Sequence, residues 1–259
     1  MNMIIGIVGK PSSGKSTMFK ALTLAEVAIA NYPFTTIKPN EGVAYVRIDC
    51  VDKEFNAQCN PREGYCINHQ RFIPVKLIDV AGLVPGAHEG KGLGLSFLDD
   101  LNQADVLIHV IDAAGSTNEK GESVEPGSYN PENDIAFLEK ELDYWYLGIL
   151  KKGWDKLSRT AQAEKQNIIK VIAKQMSGLK VTEEDVKQAI RELPDTFQTW
   201  TEQQLLQLCT SLRKLSKPII IAANKADLPT AEKNITHLKE KCPKMTIIPC
   251  SGDAELALR

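Results

Sequence analysis

The sequence has no run of about 18 apolar residues, so no transmembrane helix is expected. It also lacks the basic stretch and cleavage site of a secretory signal, because Met1 to Val8 runs directly into a glycine-rich loop. Cysteine is scarce, with 6 in 259 residues, too few for a disulfide scaffold at this length, and a reducing, cytoplasmic setting is expected. Net charge is nearly absent at -2, so bulk charge argues neither for nor against a nucleic-acid partner. No internal repeat or low-complexity tract stands out. The composition is that of an ordinary globular protein, 43% hydrophobic and 25% charged. A chain of this length buries one large core, or one core with an appended subdomain.

Short apolar runs are spread through both ends of the chain. Met3 to Val8 is nearly all apolar and stops at Gly9, the pattern of a strand buried on both faces. Lys15 to Leu24 reads as a helix, and Gly42 to Ile48 alternates like a half-exposed strand. Val75 to Asp79, Val106 to Asp112, Pro218 to Ala223 and Thr246 to Pro249 are further strands. Strands alternating with helices predict a doubly wound α/β fold with a mainly parallel sheet, whose ligands sit beyond the carboxyl ends of the strands. The middle of the chain is different. Ile135, Leu138, Leu142, Tyr146 and Ile149 form one apolar helical face, Gly153 and Pro194 interrupt the pattern, and Thr182 with Asp185 resembles a capping box. Residues 131–215 are therefore expected to be an inserted helical subdomain, protruding from a nucleotide domain made of residues 1–130 and 216–259.

Gly9-Lys10-Pro11-Ser12-Ser13-Gly14-Lys15-Ser16, followed by Thr17, matches the phosphate-loop pattern between a strand and a helix. Backbone amides there wrap phosphates, and the helix N-terminus adds the positive end of its dipole. Lys15 would reach the β- and γ-phosphates, and Ser16 would ligate Mg²⁺. Asp79-Val80-Ala81-Gly82 follows another strand. Its carboxylate suits Mg²⁺ and its glycine amide suits the γ-phosphate, although alone the motif is weak. Asn224-Lys225-Ala226-Asp227 follows a third strand. Asp227 can accept two hydrogen bonds from guanine that adenine cannot offer, which selects GTP and GDP. Ser251-Gly252 would add an amide to the guanine oxygen. In Asn31 to Thr36, a threonine can close on Mg²⁺ and the γ-phosphate and release after hydrolysis. In this order and spacing the motifs are highly specific together.

Cys50, Cys59, Cys66 and His69 form a looser group. Thiolates and imidazole suit zinc, but there is no CxxC pair, so reduced structural thiols are expected and zinc is not.

The runs NYPFTT and DVAGLVPGAHEGKGLG resemble the Obg family of GTPases, in its YchF-related branch. The resemblance extends through LEKELDYWYLGILKKGWDKL and NKADLP, across essentially the whole chain. It implies that the helical insertion is a coiled-coil-like hairpin and that Thr36 is the Mg²⁺-sensing threonine. It also implies a C-terminal TGS domain, which the sequence to Arg259 does not include. Leu83 stands where many small GTPases place a water-orienting glutamine, and His88 matches a family histidine that could take that task. Related phosphate loops carry a potassium-holding asparagine where this one has Ser12, which argues against potassium activation. The family's further cysteine is replaced by Asp52, which removes a four-sulfur set. Gly252 replaces the usual alanine, a change that a backbone amide contact survives. YchF proteins often depart from the guanine signature and favour ATP, whereas this chain keeps Asn224, Lys225 and Asp227. The expected function is a slow Mg²⁺-dependent GTPase switch associated with ribosomes or RNA. The alternatives are an Obg-like ATPase and a nucleotide-gated protein-binding module.

Overall fold

The computed structural model describes residues 3–23, 40–80 and 101–258. The chain forms β1 (Ile4–Val8), α1 (Lys15–Thr23), β2 (Glu41–Asp49), β3 (Tyr65–Ile67), β4 (Gln70–Asp79) and β5 (Val106–Asp112). Next come α2 (Glu132–Lys151), α3 (Trp154–Ala163), α4 (Ile168–Gln175), α5 (Glu183–Ala189) and α6 (Glu202–Ser216). β6 (Ile219–Asn224), α7 (Ala231–Lys241), β7 (Thr246–Pro249) and α8 (Gly252–Ala257) complete it.

Among the described residues the strands make one seven-stranded sheet in the order β2-β4-β1-β5-β6-β7, with β3 paired to β4. From β4 to β7 all pairs along this path are parallel; β2 and β3 run antiparallel to β4. The expected doubly wound, mainly parallel α/β sheet therefore forms. Side-chain alternation sends Ile7, Leu77, Val110 and Ala222 to one face, where Met18 of α1 covers them. Val8, Ile78 and Leu107 point the other way, into a cluster shared with α2 and α6. Ile111, Ile221 and Ala223 pack against Ala231, Ile235 and Leu238 of α7.

The stripe predicted for α2 is real: Ile135, Leu138, Leu142 and Tyr146 are buried and Ile149 is partly buried. Helix α3 begins after Gly153, whose φ of 87° breaks the chain out of α2. The Thr182 capping box opens α5 as expected, and a second one, Thr201 with Gln204, opens α6. All five helices α2 to α6 lie between β5 and β6 in sequence. Their apolar faces join the sheet's in one continuous cluster, from Val8 and Leu107 through Leu138 and Leu212 to Trp200.

Lys217, at the junction of α6 and β6, is fully buried. Its ammonium donates to the carbonyls of Leu101 at 2.9 Å and Ala104 at 2.7 Å. Burial lowers its pKa to about 8, with Lys180 lowering it further and Asp105 opposing. Between that value and 10.5 the unfolded chain holds a proton that the folded chain has lost. Stability therefore rises with pH across that window. Relative to Lys217→Met, the wild type is expected to gain up to about 3 kcal/mol between pH 8 and 10.5. Urea melts of both proteins check this, and parallel pH profiles would disprove it.

Candidate nucleotide-binding site

The carboxyl ends of β1, β4, β5, β6 and β7 lie side by side, so the segments leaving them converge. Gly9 to Gly14 leaves β1 and opens α1. Gly9 has φ 153°, and a Cβ there would lie 2.3 Å from the Val110 carbonyl oxygen. Gly14 has φ 92°, and its Cβ would fall 2.1 Å from Asn224 Nδ2. Neither position accepts a side chain, so these glycines let the loop curl tightly against β5 and β6. Ser13 is fully buried and its hydroxyl donates to the Lys10 carbonyl at 3.0 Å. Pro11, Ser12 and Ser16 are exposed on the outer side of the turn, and Gly14, Lys15 and Thr17 are partly exposed.

Lys15 Nζ donates to the Lys10 carbonyl at 2.9 Å. Desolvation lowers its pKa, and the nearby Asp79 carboxylate opposes the shift. Asp79, at the end of β4, accepts from Ser16 Oγ at 3.3 Å through Oδ2. Its other oxygen, Oδ1, is buried with no hydrogen-bond partner among the described residues. Desolvation raises its pKa against the pull of Lys15 and Ser16. A lysine and a carboxylate are thus both partly desolvated, side by side and next to a serine hydroxyl. An oxygen-binding dication fits these donors.

Asn224 ends β6 and ties two loops together. Its Nδ2 donates to the Ser13 carbonyl at 2.9 Å, and its Oδ1 accepts from the Gly252 amide at 2.9 Å. The Ala226 amide donates to the Cys250 carbonyl at 3.0 Å, a second link between the Asn224–Asp227 turn and the Ser251 loop. Ser251 caps α8 by accepting from the Ala254 amide. Asp227 is exposed, and its carboxylate makes no contact among the described residues. Lys225, at φ 60°, sends its ammonium to Asp112 Oδ2 at 2.9 Å and Ser116 Oγ at 3.1 Å.

Sequence reasoning missed the layer under this site. Asp112, fully buried at the end of β5, accepts from the amides of Ala114 and Ser116, from the Ser116 and Thr117 hydroxyls and from Lys225. Burial alone would raise its carboxyl, but these hydrogen bonds, led by Lys225, hold it below the ordinary carboxylate range. Lys10, expected to face a nucleotide, turns its side chain inward. Its ammonium pairs with Asp134 at 2.9 Å, donates to the Thr117 carbonyl at 2.8 Å and lies 3.9 Å from the Tyr129 ring centre. Only the backbone of Lys10 remains available to a phosphate. A carboxylate closing the apolar run Val106–Ile111 before Ala113-Ala114-Gly115 was the available signal for Asp112. Nothing local marked Asp134.

Thr36, Gly82, Leu83 and His88 lie outside the described residues. Cys50, Cys59 and Cys66 come together far from the chain's glycine-rich loop in sequence, their sulfurs within 4.8 Å of one another. His69 does not join them; its Nδ1 sits 2.9 Å from Asp52 Oδ1.

A phosphate loop at a helix N-terminus, braced by an asparagine two strands away, places the chain in the class of P-loop nucleotide-binding proteins. A family model described as 50S ribosome-binding GTPase matches residues 4–140, and an Obg-like GTPase YGR210-like, G4 motif-containing domain matches residues 222–259. An uncharacterised GTP-binding protein of Methanocaldococcus jannaschii is 55% identical over 99% of this chain and 64% of its own length. Obg-like ATPase 1 of Gallus gallus is 33% identical over 98% of this chain and 63% of its own length. The crystal structure of a GTP-binding protein from Pyrococcus horikoshii superposes with a TM-score of 0.82 at 39% identity, covering 99% of this chain and 67% of that one. The chain belongs to the Obg-like GTP-binding proteins, in their YchF-related branch. It spans 64% of the M. jannaschii relative's length.

Proposed function

We propose that the chain is the nucleotide-binding part of a Mg²⁺-dependent switch that binds and slowly hydrolyses GTP, works in the cytoplasm and acts on the ribosome or on RNA. The observation that carries this reading is the Asn224 side chain, which holds the phosphate loop and the Ser251 loop at once. The base-reading turn and the phosphate cradle are thereby set at a fixed span, with the Asp227 carboxylate free to receive guanine. The backbone from Gly9 to Thr17 would cradle the phosphates. Lys15 would exchange the Lys10 carbonyl for a phosphate oxygen, and Ser251-Gly252 would border the base. Ser16 and Asp79, joined by Thr36, would hold Mg²⁺. When bound, that ion supplies neutralisation of phosphate charge. Leu83 cannot orient water by hydrogen bonding, so His88 or a partner would do so, consistent with slow turnover.

Residues 1–130 and 216–259 would carry the nucleotide, and the helices of residues 131–215 would engage the partner. The family model's description supports the ribosome as that partner. The name of the Gallus gallus relative favours a second reading, ATP hydrolysis. Titrating Mg²⁺-GTP and Mg²⁺-ATP analogues against wild type and Asp227→Ala separates the two. Wild type is expected to prefer GTP by at least tenfold, about 1.4 kcal/mol, and the variant to lose that preference. If ATP binds wild type equally well, the guanine assignment fails and the ATPase reading takes its place.

A further inference from the structure

Residues Cys50 to His69 leave the sheet after β2 and return through β3 to β4. The return is a tight turn, with Asn68 at φ 50° and His69 at φ 62°, the twist that suits a two-residue hairpin. This excursion has almost no apolar core. None of its residues belongs to the three hydrophobic clusters, and Val51, Phe55 and Ile67 are 64%, 75% and 50% exposed. Tyr65, stacked on Phe72 with ring centres 4.5 Å apart, anchors only the β3 side. Segments this poor in buried apolar surface need a covalent or metal crosslink to hold one shape.

At the centre of the excursion lies a buried carboxylate. Asp52 is 6% exposed; its Oδ2 accepts from the Cys59 amide at 2.8 Å and lies 3.6 Å from Cys66 Sγ. Around it, Cys50 follows β2, Cys59 sits in the loop and Cys66 is on β3. Their sulfurs lie within 4.8 Å of one another. In tetrahedral zinc sites, with Zn–S near 2.3 Å and Zn–O near 2.0 Å, neighbouring sulfurs are about 3.8 Å apart and a sulfur and an oxygen about 3.5 Å. The Asp52–Cys66 separation is already that of one tetrahedral edge and the thiols need to close by about 1 Å at most, whereas the Asp52 carboxylate lies outside the 4.8 Å group formed by the three sulfurs and has to turn inward to complete the set. A further group is left without its partner. Arg71, opposite Cys66 in the β3–β4 register, keeps Nη1 buried with no hydrogen bond among the described residues. A metal–thiolate centre of net negative charge would give that nitrogen an acceptor.

We propose that Cys50, Cys59 and Cys66 bind a structural zinc ion, with Asp52 as the fourth ligand and His69 fixing the Asp52 carboxylate from behind. The three thiols lose their protons to solvent as the metal binds. Thiolate ligands select zinc over Mg²⁺, so the site does not compete with the nucleotide pocket for its ion. The ion would staple the end of β2, the loop and β3, replacing the missing apolar core. A disulfide is the competing crosslink, but it would join only two of the three sulfurs and leave the third beside a buried carboxylate.

The test is a titration of the reduced full chain with Co²⁺, followed by Zn²⁺. One equivalent of Co²⁺ is expected to give the thiolate charge-transfer and ligand-field bands of a tetrahedral site, and Zn²⁺ to bleach them. Cys66→Ser is expected to lose the charge-transfer intensity. Asp52→Asn keeps every sulfur and guards against a Cys66→Ser variant that fails to fold. It is expected to retain the charge transfer with affinity lowered by more than the about tenfold that loss of even an outer-shell partner costs. Absence of thiolate charge transfer in the wild type would overturn the proposal. So would a free-thiol count that reveals a disulfide in purified protein containing no zinc by elemental analysis.

Discussion

Lys15→Ala is expected to lower kcat/KM for Mg²⁺-GTP by about a hundred- to a thousandfold, the loss seen when one preorganised charge is taken from a developing anion. The expectation follows from the state of the lysine. Burial lowers its pKa despite the Asp79 carboxylate beside it, and among the described residues its hydrogen-bond acceptor is the Lys10 carbonyl. A poorly hydrated cation attracts phosphate oxygens more strongly than a solvated one. It also has little hydration to surrender when the nucleotide arrives. Single-turnover hydrolysis measures the effect. Thermal melts of the unliganded protein should show no loss of stability, since the variant removes a desolvated charge. A decrease of less than about tenfold, some 1.4 kcal/mol, would mean that Lys15 does not face the reacting phosphate.

Asp112→Ala is expected to destabilise the folded chain by about 3 kcal/mol or more, the scale for removing one side of a buried charge pair. The fully buried carboxylate serves the Ala114 and Ser116 amides, the Ser116 and Thr117 hydroxyls and the Lys225 ammonium. Deleting it leaves the buried Ala114 amide and the buried Thr117 hydroxyl without their acceptor. Lys225 also loses its anchor next to Asp227, so guanine-nucleotide affinity should fall with stability. Asp112→Asn keeps an acceptor for the amides but not the charge, and should cost about 1–2 kcal/mol. Urea unfolding of both variants, with nucleotide binding measured well below the transition, checks the order. A loss in Asp112→Ala below about 0.5 kcal/mol would show the network to be incidental.

Both substitutions bear on what could be read from the chain itself. Val106–Asp112 and Thr246–Pro249 were predicted to the residue, because each is a short apolar run stopped by a polar residue or a turn. The α2 stripe and the Thr182 capping box were equally legible, since both depend on spacing within one helix. The phosphate loop and the Asn224–Asp227 turn could be found for the same reason: their chemistry is confined to contiguous residues. The strand order could not be read, because it depends on which crossovers pack. Strand β3 was hidden because Tyr65–Ile67 is too short to show a period. The Lys10–Asp134 pair and the Lys225–Asp112 pair were invisible because each joins residues more than a hundred positions apart. The proximity of the three thiols could not be read for a similar reason. Its spacing is loose in sequence, but the hairpin turn at Asn68-His69 folds Cys66 back toward Cys50.

Asn224 has one further consequence, for anyone wishing to redesign the pocket. Both ends of its amide are already committed to neighbouring loops, so the residue has nothing left with which to negotiate a new base. A graft of the Asn224–Asp227 turn into another scaffold would carry a donor without its Ser13 carbonyl and an acceptor without its Gly252 amide. If Asp227 reads the base as proposed, an altered preference would be written there, where the side chain makes no hydrogen bond or ion pair among the described residues. The rest of the turn is inherited together with the phosphate loop or not at all.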